Sequence, residues 1–162
     1  VNTFLPYPSF YDSARALDRV RLRNQLNECK VIVAALGGAR AWNRHPAVLM
    51  WKGYEASLQG YMCAVADVML ADHIPVPRWA PHGGSGNAEP PPWLGAEVFH
   101  TSHRRNLVRK DPNHYGKLFP DVTPSDVYCW PTLTDAGWVL RFKKVGASIY
   151  DSTEQLLECA TT

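Results

Sequence analysis

A chain of 162 residues has the length of one domain with its own hydrophobic core, and leaves no room for a second full domain. Its formal net charge of +2 is too small to mark a nucleic-acid-binding protein by composition alone. The four cysteines, Cys29, Cys63, Cys129 and Cys159, stand far apart and form no CxxC pair, so neither a zinc site nor a disulfide framework is signalled and reduced, structural thiols are expected.

The opening VNTFLPYPSF lacks the basic-then-apolar order of a leader, and no run reaches the roughly 18 uncharged apolar residues of a membrane span. A cytoplasmic protein away from membranes is expected. An extended segment with Pro6 and Pro8 leads to Asp12 and Ser13, either of which can cap a helix. From about residue 13 to 36, Leu17, Val20, Leu22, Cys29, Ile32, Val33 and Leu36 recur at three- and four-residue spacings, while Arg15, Arg19, Arg23 and Lys30 fall largely elsewhere. That periodicity predicts a long helix ended by Gly37 and Gly38.

A second helix is expected from about Pro46 to Asp72, with Pro46 in its first turn and Val48, Trp51, Tyr54, Leu58, Tyr61, Met62, Val65 and Met69 as its core stripe. Ile74 to Trp93, IPVPRWAPHGGSGNAEPPPW, reads as a long Pro/Gly loop. A third, shorter helix spans about Ala96 to Lys110 and stops at Asp111 and Pro112. Tyr128 to Pro131 read as an irregular connection, GWVLRFKKVGASIY as a hairpin around Gly146, and Ser152 to Cys159 as a short helix. The fold class expected is mainly α, a single compact helical domain of three main helices with a long loop and a short C-terminal hairpin plus helix.

Chemistry is suggested at three places. In RVRLRNQLNE, four- and three-residue steps put Arg21, Gln25 and Glu28 on one face of the first helix. A carboxylate there suits proton abstraction or stabilisation of a developing cationic sugar, and arginines beside it suit phosphates. A solvated face with ordinary ion pairs has the same spacing. In HTSHRRNLVRKD, His100, His103, Arg104, Arg105, Arg109 and Lys110 crowd into little more than three turns, a pattern that fits phosphate neutralisation or simply a basic exposed helix. No third ligand accompanies His100 and His103, so no metal is expected. Trp79 and Trp93 flank the loop, where an aromatic side chain either stacks on a base or anchors the loop to the core. An α-amine, finally, is unprotonated in appreciable fraction at neutral pH and can attack an anomeric carbon to give an imine, with no lysine required.

NTFLPYP, LDRVRLRNQLNE, NRHPAVLMWKGYE, PPWLG and SHRRNLVRKDPNHYGKLFP together resemble the bacterial and phage branch of the pyrimidine-dimer DNA glycosylase (endonuclease V) family, over roughly residues 1 to 131. The resemblance implies a mostly helical fold with the N-terminal segment threaded between helices, and a bifunctional glycosylase/AP lyase that needs no metal or other cofactor. It implies the amine of the N-terminal residue, here Val1, as nucleophile and Glu28 as the key acid. Arg21, Arg105 and Arg109 take the place of DNA-contacting residues, and Gln25 and Arg104 are added as DNA contacts. Asn27 stands just before Glu28 where the characterised enzyme has arginine.

On this reading residues 1–131 form the glycosylase-like helical domain and 132–162 a C-terminal extension packed on it. The expected partner is double-stranded DNA carrying a damaged or modified pyrimidine, the cyclobutane dimer first, bound by a monomer. The alternatives are a glycosylase for another modified pyrimidine and a non-catalytic DNA-binding protein on the same scaffold.

Overall fold

The structure, a computed structural model, describes residues 1–83 and 88–146 and, for 154–156, the backbone alone. The chain divides into two compact units, Val1–Pro91 and Pro92–Thr162. The three long helices are those the periodicity predicts, and the mainly α fold class holds. No helix among the described residues is long and apolar enough to cross a membrane.

The first unit contains α1 (Phe10–Ala16), α2 (Arg19–Leu36), α3 (Pro46–Leu49) and α4 (Glu55–Ala71), with α1 and α2 both packed on α4. Leu22, Leu26 and Ile32 of α2 and Leu58, Tyr61, Val65 and Met69 of α4 are buried, so each helix turns one apolar stripe inward. The first periodic stretch is two helices rather than one. Leu17 is extended, and the Asp18 carboxylate accepts from the N–H groups of Val20 (2.9 Å) and Arg21 (3.1 Å), starting a new helix where periodicity alone reads on. Ser9 caps α1 in place of Asp12 or Ser13. Val20 and Val33, expected on the apolar face, are exposed, because the true stripe is narrower than the mixed spacing suggests.

The second predicted helix is also interrupted. Gly53 adopts φ +84°, which glycine reaches without steric cost, and its N–H donates to Glu55. Between Ala71 and Glu97 no helix or strand intervenes among the described residues, as the Pro/Gly composition predicts.

The second unit holds α5 (Glu97–Lys110), α6 (Pro112–Leu118) and the antiparallel strands β1 (Val127–Thr134), β2 (Gly137–Lys144) and β3 (Glu154–Leu156), in the order β1-β2-β3. Asp111 and Pro112 end α5 as expected, yet they also start α6, since Asp111 caps it by accepting from His114 and proline suits a first turn. The connection expected at Tyr128–Pro131 is strand, and residue 131, after which the C-terminal extension is expected to begin, lies inside β1. Pro131 lies in an edge strand, where a missing N–H is tolerated. β1 and β2 form a hairpin that the sequence does not announce, turning at Asp135–Ala136 with Gly137 at φ +107°, while the hairpin expected around Gly146 corresponds to the antiparallel β2–β3 pair, whose second strand is Glu154–Leu156. Of the helix expected over 152–159, residues 154–156 are strand β3 and the remainder lies outside the described residues.

Helix α5 closes the outer edge of β1 with side chains. The Ser102 hydroxyl accepts from Cys129 N–H at 3.1 Å, and the Asn106 amide donates to the Val127 carbonyl at 2.8 Å, so strand groups that would otherwise face solvent are paired.

Candidate nucleic-acid site

In the first unit, residues 2–4 run along α2 and are held by side chains one turn apart. The Phe4 N–H donates to Gln25 Oε1 (2.7 Å), and the Asn2 N–H donates to Glu28 Oε2 (3.1 Å). Alternate backbone donors of an extended segment thus meet residues i and i+3 of a helix running the opposite way. Trp51 Nε1–H donates to the Thr3 hydroxyl at 3.2 Å, and Leu5 is fully buried. The Tyr61 hydroxyl lies 2.8 Å from both the Phe4 carbonyl and Gln25 Oε1, and donates to one of them at a time. Gln25 is therefore turned inward, 2% exposed, with its acceptor occupied. Such satisfaction is what permits a polar side chain in the core.

This framework brings the nitrogen of residue 1 to 3.8 Å from Glu28 Oε2, while the Glu28 side chain stays 36% exposed and open to a ligand. The pair thus sets a nitrogen and a carboxylate, itself able to accept a proton, side by side at a partly open surface. Beside it lies Asn2, a residue that the sequence reading did not single out. Both polar atoms of its carboxamide are buried without a hydrogen-bond partner among the described residues, a state that costs about 1–3 kcal/mol in a folded protein. No spacing rule signals this. Its one sequence cue is its place in NTFLPYP.

Arg21 shares the α2 surface but pairs with Asp18 rather than Glu28. In the second unit the basic helix is more committed than its composition suggests. Arg104 is ion-paired with Glu97 and donates to Thr101, and although desolvation works against it, the Thr101 hydroxyl and Arg104 hold the Glu97 carboxyl below its ordinary range. Arg105 Nε–H donates to the Thr123 carbonyl at 3.0 Å. Arg109 is exposed and makes no ion pair or hydrogen bond among the described residues. His100 and His103 are interior: the former accepts from Gly95 N–H, and burial, with His100 nearby, depresses His103 to about 3. No group of three or more His, Cys, Asp or Glu converges among the described residues.

Trp93 anchors its end of the loop, fully buried against Phe99 at 5.0 Å, whereas Trp79 is 41% exposed and lies under the Lys30 ammonium. Cys29, Cys63 and Cys129 are free and buried; burial pushes the Cys129 thiol up to about 12 and raises Cys29 further, so neither is a ready nucleophile. Cys159 lies outside the described residues.

Residues 1–71 match the model of a protein family described as pyrimidine dimer DNA glycosylase, which supports the resemblance read from the sequence. The matched segment ends with α4 and contains residue 1, Asn2, Gln25, Glu28 and Tyr61. No curated protein and no solved structure matches the chain.

Proposed function

We propose that the protein is a DNA glycosylase with AP lyase activity that acts on damaged pyrimidines, cyclobutane dimers first, in double-stranded DNA. The observation that carries this reading is the placement of a backbone amine position 3.8 Å from a half-open carboxylate, inside the segment that matches the family model. The nucleophile is the α-amine that the mature chain brings to Glu28; residue 1 marks the place.

In the first step the amine lone pair forms a bond to C1′ of the damaged nucleotide, and the C1′–N bond to the base breaks. The base leaves with that electron pair and is protonated from solvent. The attached nitrogen gives up one proton to Glu28, which passes it to O4′ as the C1′–O4′ bond breaks; the nitrogen lone pair forms the double bond and leaves an iminium at C1′ with Glu28 ionised again. Glu28 then removes a proton from C2′; the electron pair moves into the C2′–C3′ bond and expels the 3′ phosphate. Water hydrolyses the imine and frees the amine.

Gln25 and Tyr61 serve the site from inside by fixing Phe4 and with it the start of the chain. The Asn2 carboxamide, buried beside Glu28 without a partner among the described residues, meets an acceptor-and-donor group on the substrate once binding uncovers it. Arg21, Arg104, Arg105 and Arg109 contribute phosphate contacts, Arg109 with the fewest competing partners.

Borohydride reduction during incubation with a thymine-dimer oligonucleotide, and separately with an abasic-site oligonucleotide, tests the reading. The expected result is a covalent adduct on both that maps to the N-terminal peptide, which also identifies the residue bearing the amine. An adduct on the abasic site alone keeps the lyase and moves the substrate to another modified pyrimidine. No adduct on either sinks the enzyme reading in favour of a non-catalytic DNA-binding protein.

A further inference from the structure

Two residues other than glycine have positive φ among the described residues, and they differ in what explains them. His73, at φ +54°, ends α4, with Ile74 N–H reaching back to the Met69 carbonyl in the usual left-handed helix stop. Trp42, at φ +67°, ends no helix, because α2 has already stopped at Leu36. This backbone conformation is costly for a bulky L residue, and glycine would adopt it freely. Burial does not offset the cost, since half of the Trp42 surface is exposed. What the local structure does is orient the ring. The Trp42 carbonyl accepts from His45 N–H at 2.8 Å, the indole packs edge-on to the His45 imidazole at 5.4 Å, and that imidazole is itself fixed by accepting from Ala47 N–H.

Charge along the sequence on either side of the ring is of one sign. From Cys29 to Tyr54 the sequence has no Asp or Glu but carries Lys30, Arg40, Arg44 and Lys52, all exposed. Arg40 and Arg44 bracket Trp42 two residues away on each side, and neither makes an ion pair or hydrogen bond among the described residues. An outward, oriented aromatic face between unpaired guanidinium groups fits a ligand that is flat and apolar in one part and anionic in the next. Nucleic acid has that alternation, bases carrying the stacking surface and phosphates the charge.

We propose that the Gly37–His45 loop is a second DNA-contacting surface, in which Trp42 stacks on a base at an unstacked step while Arg40 and Arg44 hold the flanking phosphates. The choice of DNA as partner rests on the function proposed above. Eight residues of α2 separate Glu28 from Leu36, about 12 Å along the helix axis at 1.5 Å per residue. At about 3.4 Å per nucleotide that is three or four steps along a strand, so a loop that begins at this end of α2 is placed to meet a neighbouring base and not the reacting nucleotide.

The test uses the full chain and a duplex with a central tetrahydrofuran abasic analogue, with 2-aminopurine placed three or four steps away. Affinity is read by anisotropy and stacking by 2-aminopurine fluorescence. Trp42→Gly removes the ring at a φ that glycine favours, so its melting temperature is expected to match or exceed that of the original protein. It should lose about tenfold in affinity, as removal of one stacked aromatic does, and lose the fluorescence change, while Trp42→Phe keeps most of both. Substituting Arg40 and Arg44 by alanine together should lower the salt slope by close to two.

Unchanged affinity and fluorescence in a folded Trp42→Gly variant overturn the proposal and leave the ring to a partner of another class. Borohydride trapping by the original protein separates the two readings. Weakened binding by Trp42→Gly with no trapping by the original protein keeps this surface and removes the chemistry. Trapping with unaffected binding keeps the chemistry and removes this surface. Failure of the original protein to bind DNA at all ends both.

Discussion

The two units build around helices of similar polarity and use them in opposite ways. In the first, α2 buries Gln25 to hold a length of chain and leaves Glu28 at a partly open surface, with the Asn2 carboxamide buried beside it. In the second, α5 buries Ser102, His103 and Asn106 to hold a sheet edge, and Arg104 and Arg105 have partners within their own unit. The densest cationic cluster in the sequence is thus partly internal wiring, while exposed cations without ion pairs among the described residues, Arg40, Arg44 and Lys52, belong to the unit where charge looks sparse. Linear charge density reports how many cations are present; pairing decides how many are available to a phosphate.

The contrast breaks first at Glu28. Glu28→Gln keeps an oxygen acceptor for Asn2 N–H but not the proton transfer, so single-turnover cleavage of an abasic-site duplex should fall by about 10²- to 10⁴-fold with an unchanged unfolding midpoint. A loss below threefold would put the chemistry elsewhere.

Next in size is an acid sensitivity confined to the second unit. Burial depresses His103 to about 3, against 6.5 for an unperturbed histidine, so the unfolded chain takes up this proton first. The stability involved is complete above pH 6.5 and is lost as pH falls toward 3, at up to roughly 1.4 kcal/mol per pH unit. His103→Phe keeps ring contacts to Phe99 and Tyr128 and should flatten the decline of melting temperature between pH 6.5 and 4.5. An identical decline in both proteins would assign the acid limb to other groups.

Gln25→Ala should destabilise the first unit by about 1–3 kcal/mol, because Phe4 N–H loses its buried acceptor. Chemical denaturation reads that cost, and trapping should fall with it as the chain start loosens; trapping at full rate would show that Leu5 packing alone positions the segment. The smallest effect is expected at the basic helix. Arg109→Ala should reduce the salt slope of DNA binding by about 0.9, and Arg104→Ala by less, since Arg104 is paired with Glu97. The reverse order would mean that the Glu97 pair opens on binding.

Much of this architecture is legible in the residues. The apolar stripes of α2, α4 and α5 announce three long helices, Pro46 and Gly37 mark helix ends, and the motifs NTFLPYP and LDRVRLRNQLNE point to the family whose model matches residues 1–71. Periodicity reads through the breaks at Asp18 and Gly53, because a capping carboxylate or one glycine leaves the apolar spacing on either side nearly in phase. It also loses β1, whose Tyr128-Cys129-Trp130 run is followed by a proline that is acceptable only at an edge. The sequence by itself determined the helical class, the family resemblance and Glu28 as the residue to examine. The three-dimensional structure decided that Gln25 faces inward, that Arg104 is already paired, that the Asn2 carboxamide has no hydrogen-bond partner among the described residues and that Trp42 does not pack away: Gln25 meets Phe4 from 21 positions away, and even the Arg104–Glu97 pair, seven positions apart on one helix, is one of several pairings its spacing allows.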